Sequence, residues 1–278
     1  MKINKKNHTQ INLFDNRIDW SNVLFVILLI AVSAWYFSGI NTIPFHLDES
    51  SYLFSSDDLE TLVTNPSSLF WEPGKETDRK LTLRLLDSPL RRYINEIGRQ
   101  LAGEKALPVD WDWTKSWEEN AHAGALPDGK LLYFGRLSIA IFFPFSLLLV
   151  YSLGNRILNN TCGWIAAILF ASNALILLHT RRVMAEGVLV FTVLLFLWSV
   201  TSPKKSIFFI GITAALAFCA KQSSGILYLV GIIAIVFNNH DKRGSALSLI
   251  PRLISYSVIF ITAIYILNPY MWKHPIQS

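Results

Sequence analysis

From Ser21 to Ile40 the chain carries no charged side chain. A helix needs about 20 consecutive apolar residues to cross the hydrocarbon core of a bilayer, and this run is long enough. Comparable apolar segments recur at about 133–154, 162–179, 185–201, 206–220, 223–238 and 250–268. The pattern predicts an all-α integral membrane protein with about seven transmembrane helices. The segments at 206–220 and 223–238 are short and clearly separated only by Lys221 and Gln222, a length that tilt limits or local bilayer thinning can accommodate. Composition agrees: 16% of the residues are charged, against about 25% in soluble domains. The first run follows the basic stretch MKINKKNHTQ. Its apolar core is longer than that of a signal peptide and no A-x-A site follows, so it is expected to stay as a span.

The net charge of +5 reads as an orientation signal, not as a nucleic-acid surface. With the N-terminus inside, the inner segments hold Lys2, Lys5, Lys6, Arg17, Arg156, Lys204, Lys205, Lys242, Arg243 and Arg252. The short outer segments hold Arg181, Arg182, Lys221 and Lys273. This asymmetry places the N-terminus in the cytoplasm and residues 41–130 on the outer face of a cell (inner) membrane. The organisation expected is residues 1–40 as cytoplasmic N-terminus and first span, 41–130 as an outer loop, and 131–278 as spans two to seven.

That loop concentrates the polar chemistry, with 16 of the 20 acidic residues. Trp71, Trp111, Trp113 and Trp117 suit a membrane–water boundary. Residues 79–101 (RKLTLRLLDSPLRRYINEIGRQL) place Leu, Ile and Tyr at helical spacing against Arg, Asp and Glu. They predict one or two amphipathic helices on the membrane surface, broken at Ser88-Pro89. A small independent domain is the alternative, but no strand alternation or internal repeat supports it.

Few acids lie outside the loop, and among them Glu186 alone stands at the outer end of a span. An ionisable group at that depth is a functional candidate; the plainer role is a partner for Arg181 or Arg182. Asp48 and Glu49, in HLDESSYLF, follow Pro44 just beyond the first span. They could simply open a helix, where acids are favourable. On the expected topology, however, Asp48 and Glu186 emerge on one face at nearly one depth, a pairing suited to general-base and orienting work. Arg136, Arg181, Arg182, Lys221 and Lys273 stand at the same level, where cations suit a lipid phosphate or serve as snorkelling anchors. No Walker A, Rossmann, HExxH or CxxC pattern occurs. The histidines are scattered, and Cys162 and Cys219 imply no disulfide framework. Neither metal nor cofactor is expected.

These motifs, in order, resemble a known family. The acidic motif after the first span, the Asp87-Ser88-Pro89-Leu90-Arg91-Arg92 stretch, Gly135-Arg136-Leu137 opening the second span, Arg181 to Glu186 before the fourth, and Asn268 to Ile276 after the last are together similar to the GT-C membrane glycosyltransferases. Protein O-mannosyltransferases and lipid A aminoarabinose transferases carry the nearest patterns. The resemblance implies a GT-C-like fold and transfer of a sugar from a polyprenyl-phosphate donor to a lipid, glycan or protein acceptor among membrane lipids. It implies that Asp48 is the base, that Glu49 and Glu186 share its cavity, and that Arg136, Arg181, Arg182 and Lys221 face the donor phosphate. Two positions depart: Asp-Ser-Pro replaces a frequent double proline, and Glu186 replaces a frequent Asp. Relatives also continue past the seventh span, so a partner chain supplying a C-terminal part is an expectation. The competing expectation is a non-catalytic subunit or a transporter.

Overall fold

The computed structural model describes residues 20–74, 76, 78–203, 206–241 and 246–276. Among the described residues there are helices and turns but no strand. Three helical stretches are long and apolar enough to cross a membrane: Trp20–Thr42, Gly129–Ile157 and Leu247–Leu267. Four apolar helices are shorter, at Asn160–Ser172, Ala185–Thr201, Ile207–Ala220 and Gln222–Asn238. The all-helical expectation therefore stands, with three helices of full spanning length. Much of the orientation count (Lys2, Lys5, Lys6, Arg17, Lys204, Lys205, Lys242 and Arg243) lies outside the described residues.

The first long helix is α1 (Trp20–Ser38). Among the described residues of 41–128, five short α-helices form a cap: α2 (Leu47–Phe54), α3 (Asp58–Thr64), α4 (Arg79–Leu86), α5 (Pro89–Ala102) and α6 (Trp117–Ala123). The apolar part then continues as α7 (Gly129–Ala140), α8 (Phe142–Ile157), α9 (Asn160–Ser172), α10 (Ala174–His179), α11 (Ala185–Thr201), α12 (Ile207–Ala220), α13 (Ile226–Asp241) and α14 (Ala246–Leu267). The expected span at 162–179 is split at Asn173, whose side chain accepts from the amides of Leu175 and Ile176 and restarts the helix.

Aromatic stacking seats α1 on α8, with Phe25 against Tyr151 and Tyr36 against Phe143, ring centroids 3.6 and 3.9 Å apart. Small residues bring α12 close to its neighbours. A Cβ on Gly211 would come within 2.7 Å of the Ile259 side chain, so only glycine admits this approach.

The cap is built differently. The break between α4 and α5 falls at Asp87-Ser88, and Pro89 occupies the first helical position, where its missing N–H is no loss. Arg91, Arg92, Asn95, Glu96 and Arg99 of α5 are buried, while Ile97 and Leu101 are exposed. The polar side of this amphipathic helix thus turns into the cap. Asp58 receives Arg84 at 2.8 Å and Arg92 at 2.5 Å, and Glu96 receives the amides of Leu59 and Glu60. Charge pairing fastens the cap alongside a small apolar cluster that includes Leu53, Phe54, Leu83 and Leu107, and the apolar residues left outside suit a lipid boundary. In the first half of α5, Leu90 and Ile94 pack with Ile139, Val188 and Ala220, joining the cap to the apolar helices.

Candidate functional site

The turn between α1 and α2 is fastened by side-chain hydrogen bonds. His46 caps α2: its Nδ1 accepts the Asp48 amide at 3.2 Å, and Glu49 accepts the His46 amide at 2.9 Å. Glu49 is fully buried, and Arg136 on α7 is 2% exposed. Arg136 Nε and Nη2 donate to the two Glu49 oxygens at 2.9 and 2.8 Å, the bidentate geometry of a strong pair. Nη1 donates to the carbonyls of Ile40 and Ile43, and Nη2 also to that of Pro44. Glu49 Oε1 takes one more bond, from the Val183 amide at 2.9 Å. A guanidinium has five N–H donors and a carboxylate about four acceptor sites, so both groups are saturated within the chain. Neither keeps capacity for a ligand. Glu49 and Arg136, expected at the chemistry, instead pin the α1–α2 turn, α7 and the segment before α11 together.

Arg181 is also committed. It donates to the Tyr36 carbonyl at 3.0 Å and lies over the Trp35 and Tyr36 rings. A Cβ on Gly39 would meet its guanidinium at 2.8 Å, so a glycine ends α1 here. Its neighbour Arg182 differs: it is buried, and its Nε has no hydrogen-bond partner.

The remaining candidates gather around Tyr52. Asp48, four residues earlier on α2, shares its face. A cavity of about 230 Å³ is lined by Tyr52, Asp87, Ser88 and Arg91 on one side and by Ala185, Lys221 and Gln222 on the other. Lys221 reaches Glu186 Oε1 at 2.8 Å. Arg91 reaches Asp87 at 3.1 Å and stacks on the Tyr52 ring, 3.6 Å from its centre. Burial pushes the Tyr52 phenol up to about 12; Arg91 opposes that shift, and Asp87, Asp48 and Glu186 add to it. Tyr52 therefore stays a neutral hydroxyl at ordinary pH. Burial also lowers the Arg91 pKa, while an arginine remains charged throughout the working range.

Each ion pair leaves one atom unused. Arg91 Nη1 is a buried donor without an acceptor, and Glu186 Oε2 is a buried acceptor without a donor. Unmet buried polar atoms of this kind are expensive, and a ligand offering both an anion and a hydroxyl or amine would satisfy them. The cavity shares Asp87, Ser88 and Gln222 with a second space of about 400 Å³, whose walls include Leu85, Phe218, Ile261, Ile264 and Tyr265. A charged chamber therefore adjoins an apolar groove. Among the described residues no cluster of three or more metal-ligating side chains occurs.

Sequence reading singled out Asp48, Glu186 and Lys221 but gave no role to Tyr52, Asp87 or Arg91. The basic position that closes the Asp87–Arg92 stretch is Arg92, yet Arg92 turns into the cap to meet Asp58, and Arg91 lines the cavity. One residue along a helix is a turn of about 100°, and nothing in the motif says which of two adjacent arginines points where. Compared with known proteins, the chain matches no family model, no curated protein and no solved structure.

Proposed function

We propose that this chain is a membrane glycosyltransferase of the GT-C type, moving a sugar from a polyprenyl-phosphate donor to a lipid, glycan or protein acceptor at the outer membrane face. In this reading the four shorter apolar helices complete the seven spans, the N-terminus is cytoplasmic and the cap lies outside. The observation that carries it is the charged chamber opening onto an apolar groove through shared residues. A lipid-borne sugar phosphate has this division: an isoprenoid tail for the groove, and a phosphate and sugar for the chamber. The spare Nη1 of Arg91 is the donor suited to phosphate, with Lys221 on the opposite wall of the chamber. Glu186 Oε2 is the acceptor suited to a sugar hydroxyl or amine.

The chemistry follows from those positions. Asp48 is about one-third exposed and takes the proton from the acceptor nucleophile. That atom attacks the anomeric carbon, the bond from this carbon to the phosphate oxygen breaks, and the lipid phosphate leaves with the electron pair. The configuration at the sugar inverts. Buried cations stabilise the charge that grows on the leaving oxygen. Glu49, Arg136 and Arg181 act at a distance, by holding the wall in place.

The test is release of sugar from labelled polyprenyl-phosphate sugars in membranes carrying the chain, wild type beside Asp48→Asn at equal expression. Release that falls at least about a hundredfold in the variant is the expected result. Equal release from both would return Asp48 to helix capping. No release from any donor would favour the non-catalytic subunit or transporter.

A further inference from the structure

A second recess, of about 440 Å³, lies in the cap between α3, the start of α4, the end of α5 and residues 105–108. Its charged walls are Asp57, Glu60, Lys80, Arg99 and Lys105. Four of these five are already paired. Lys80 is bonded to Asp57, and Arg99 reaches Glu60 at 2.8 Å and Glu96 at 3.5 Å. Behind them Asp58 holds Arg84 and Arg92. The pairs form two groups, Lys80, Arg84 and Arg92 with Asp57 and Asp58, and Arg99 with Glu60 and Glu96, and together the four carboxylates match the four cations in number. Lys105 is the surplus charge, exposed and with no ion pair among the described residues.

The recess also offers acceptors. Asp57 is part-exposed; its Oδ2 holds Lys80, and its Oδ1 makes no hydrogen bond, with Arg84 Nη2 3.8 Å away. Thr61 and Thr64 donate their hydroxyl protons to the carbonyls of Asp57 and Glu60, which leaves both hydroxyl oxygens free to accept. Residues 57, 61 and 64 fall on one helical face. The wall thus combines a row of acceptors with a single unpaired cation. The volume is in the range of small-molecule sites. No aromatic ring lines it, so recognition would run through charge and hydrogen bonds and not through stacking.

We infer that this recess is a binding site for an anionic saccharide, its hydroxyls donating to Asp57, Thr61 and Thr64 and its carboxylate or phosphate meeting Lys105. The site is separate from the Tyr52 chamber. The two spaces share no lining residue. The inference does not depend on the transferase reading.

Calorimetry on the full chain in lipid nanodiscs, with glucuronate, glucose 6-phosphate, glucose and inorganic phosphate as probes, tests it. Both anionic sugars should bind about tenfold or more tightly than either glucose or phosphate, since each of those lacks one half of the recognition. Lys105→Ala should weaken both anionic sugars by about tenfold with thermal unfolding unchanged, because the side chain is exposed. Thr64→Val should weaken them by a smaller factor. Phosphate binding as tightly as glucose 6-phosphate would remove the saccharide. Indifference to Lys105→Ala, or no binding of either anionic sugar, would overturn the site.

Discussion

Glu49 and Glu186 each meet a basic side chain at 2.8 Å, and the two pairs differ in nearly everything else. Glu49 and Arg136 come from sequence neighbourhoods 87 residues apart and are sealed from solvent. Backbone amides and carbonyls absorb every bond that the pair does not make with itself. Glu186 and Lys221 are part-exposed; one carboxylate oxygen is buried and unused, and a cavity lies alongside. A saturated buried pair fixes geometry and has nothing to offer a ligand. An unsaturated pair at a cavity edge holds its geometry less firmly and keeps capacity for one. The same residue types therefore do structural work in one place and are available for chemistry in the other, and it is the bond count that separates the two.

Breaking the saturated pair should give the largest effect. Arg136→Met leaves the Glu49 charge buried without its partner, and a loss of about 3–5 kcal/mol is expected, read as a large fall in the unfolding midpoint of detergent-purified protein. Pairing it with Glu49→Gln should recover part of that loss, since no unpaired charge remains. An unchanged midpoint in Arg136→Met would dissolve the contrast.

On the transferase reading, Asp48→Asn should lower transfer about a hundredfold or more while the unfolding midpoint stays near that of the wild type. A midpoint that falls in step with activity would make Asp48 a second fastening group. Glu186→Gln is the sharper instrument. The exposed side of its pair is worth about 1 kcal/mol or less, so stability should barely move, while the KM for the donor should rise.

Tyr52 gives a pH signature. Its phenol is raised from 10.0 to about 12 in the folded chain, so the folded state keeps a proton that the unfolded chain releases. The resulting stability is whole below pH 10 and is lost as pH rises through about 12. Tyr93 is also raised by burial, so Tyr52→Phe should make the alkaline decline shallower, and a decline identical in both proteins would show that Tyr52 contributes nothing to it. The smallest effect is expected at Lys273, paired with Glu72 at 2.7 Å between two part-exposed side chains: Lys273→Ala should change stability by less than about 1 kcal/mol.

Much of the architecture was legible in the chain because it depends on quantities that a linear string carries. The charge-free run from Ser21 to Ile40 is a helix because a bilayer-facing backbone must satisfy its own hydrogen bonds. The break near Ser88-Pro89 is where proline geometry puts it. Asp48 and Glu186 also stood out, as acids at the ends of apolar segments where acids are scarce. The division of labour among the charged residues was not legible. Whether Glu49 or Asp48 is spent, whether Arg91 or Arg92 lines the cavity, and which of Arg181 and Arg182 keeps an unpartnered nitrogen depend on helix rotation and on partners distant in sequence. Local chemistry and hydropathy set by themselves the helices, the apolar segments and the neighbourhood of the site. Only tertiary structure decided which side chains have hydrogen bonds left to give, because that capacity is what remains after every distant carbonyl, amide and carboxylate has taken its share.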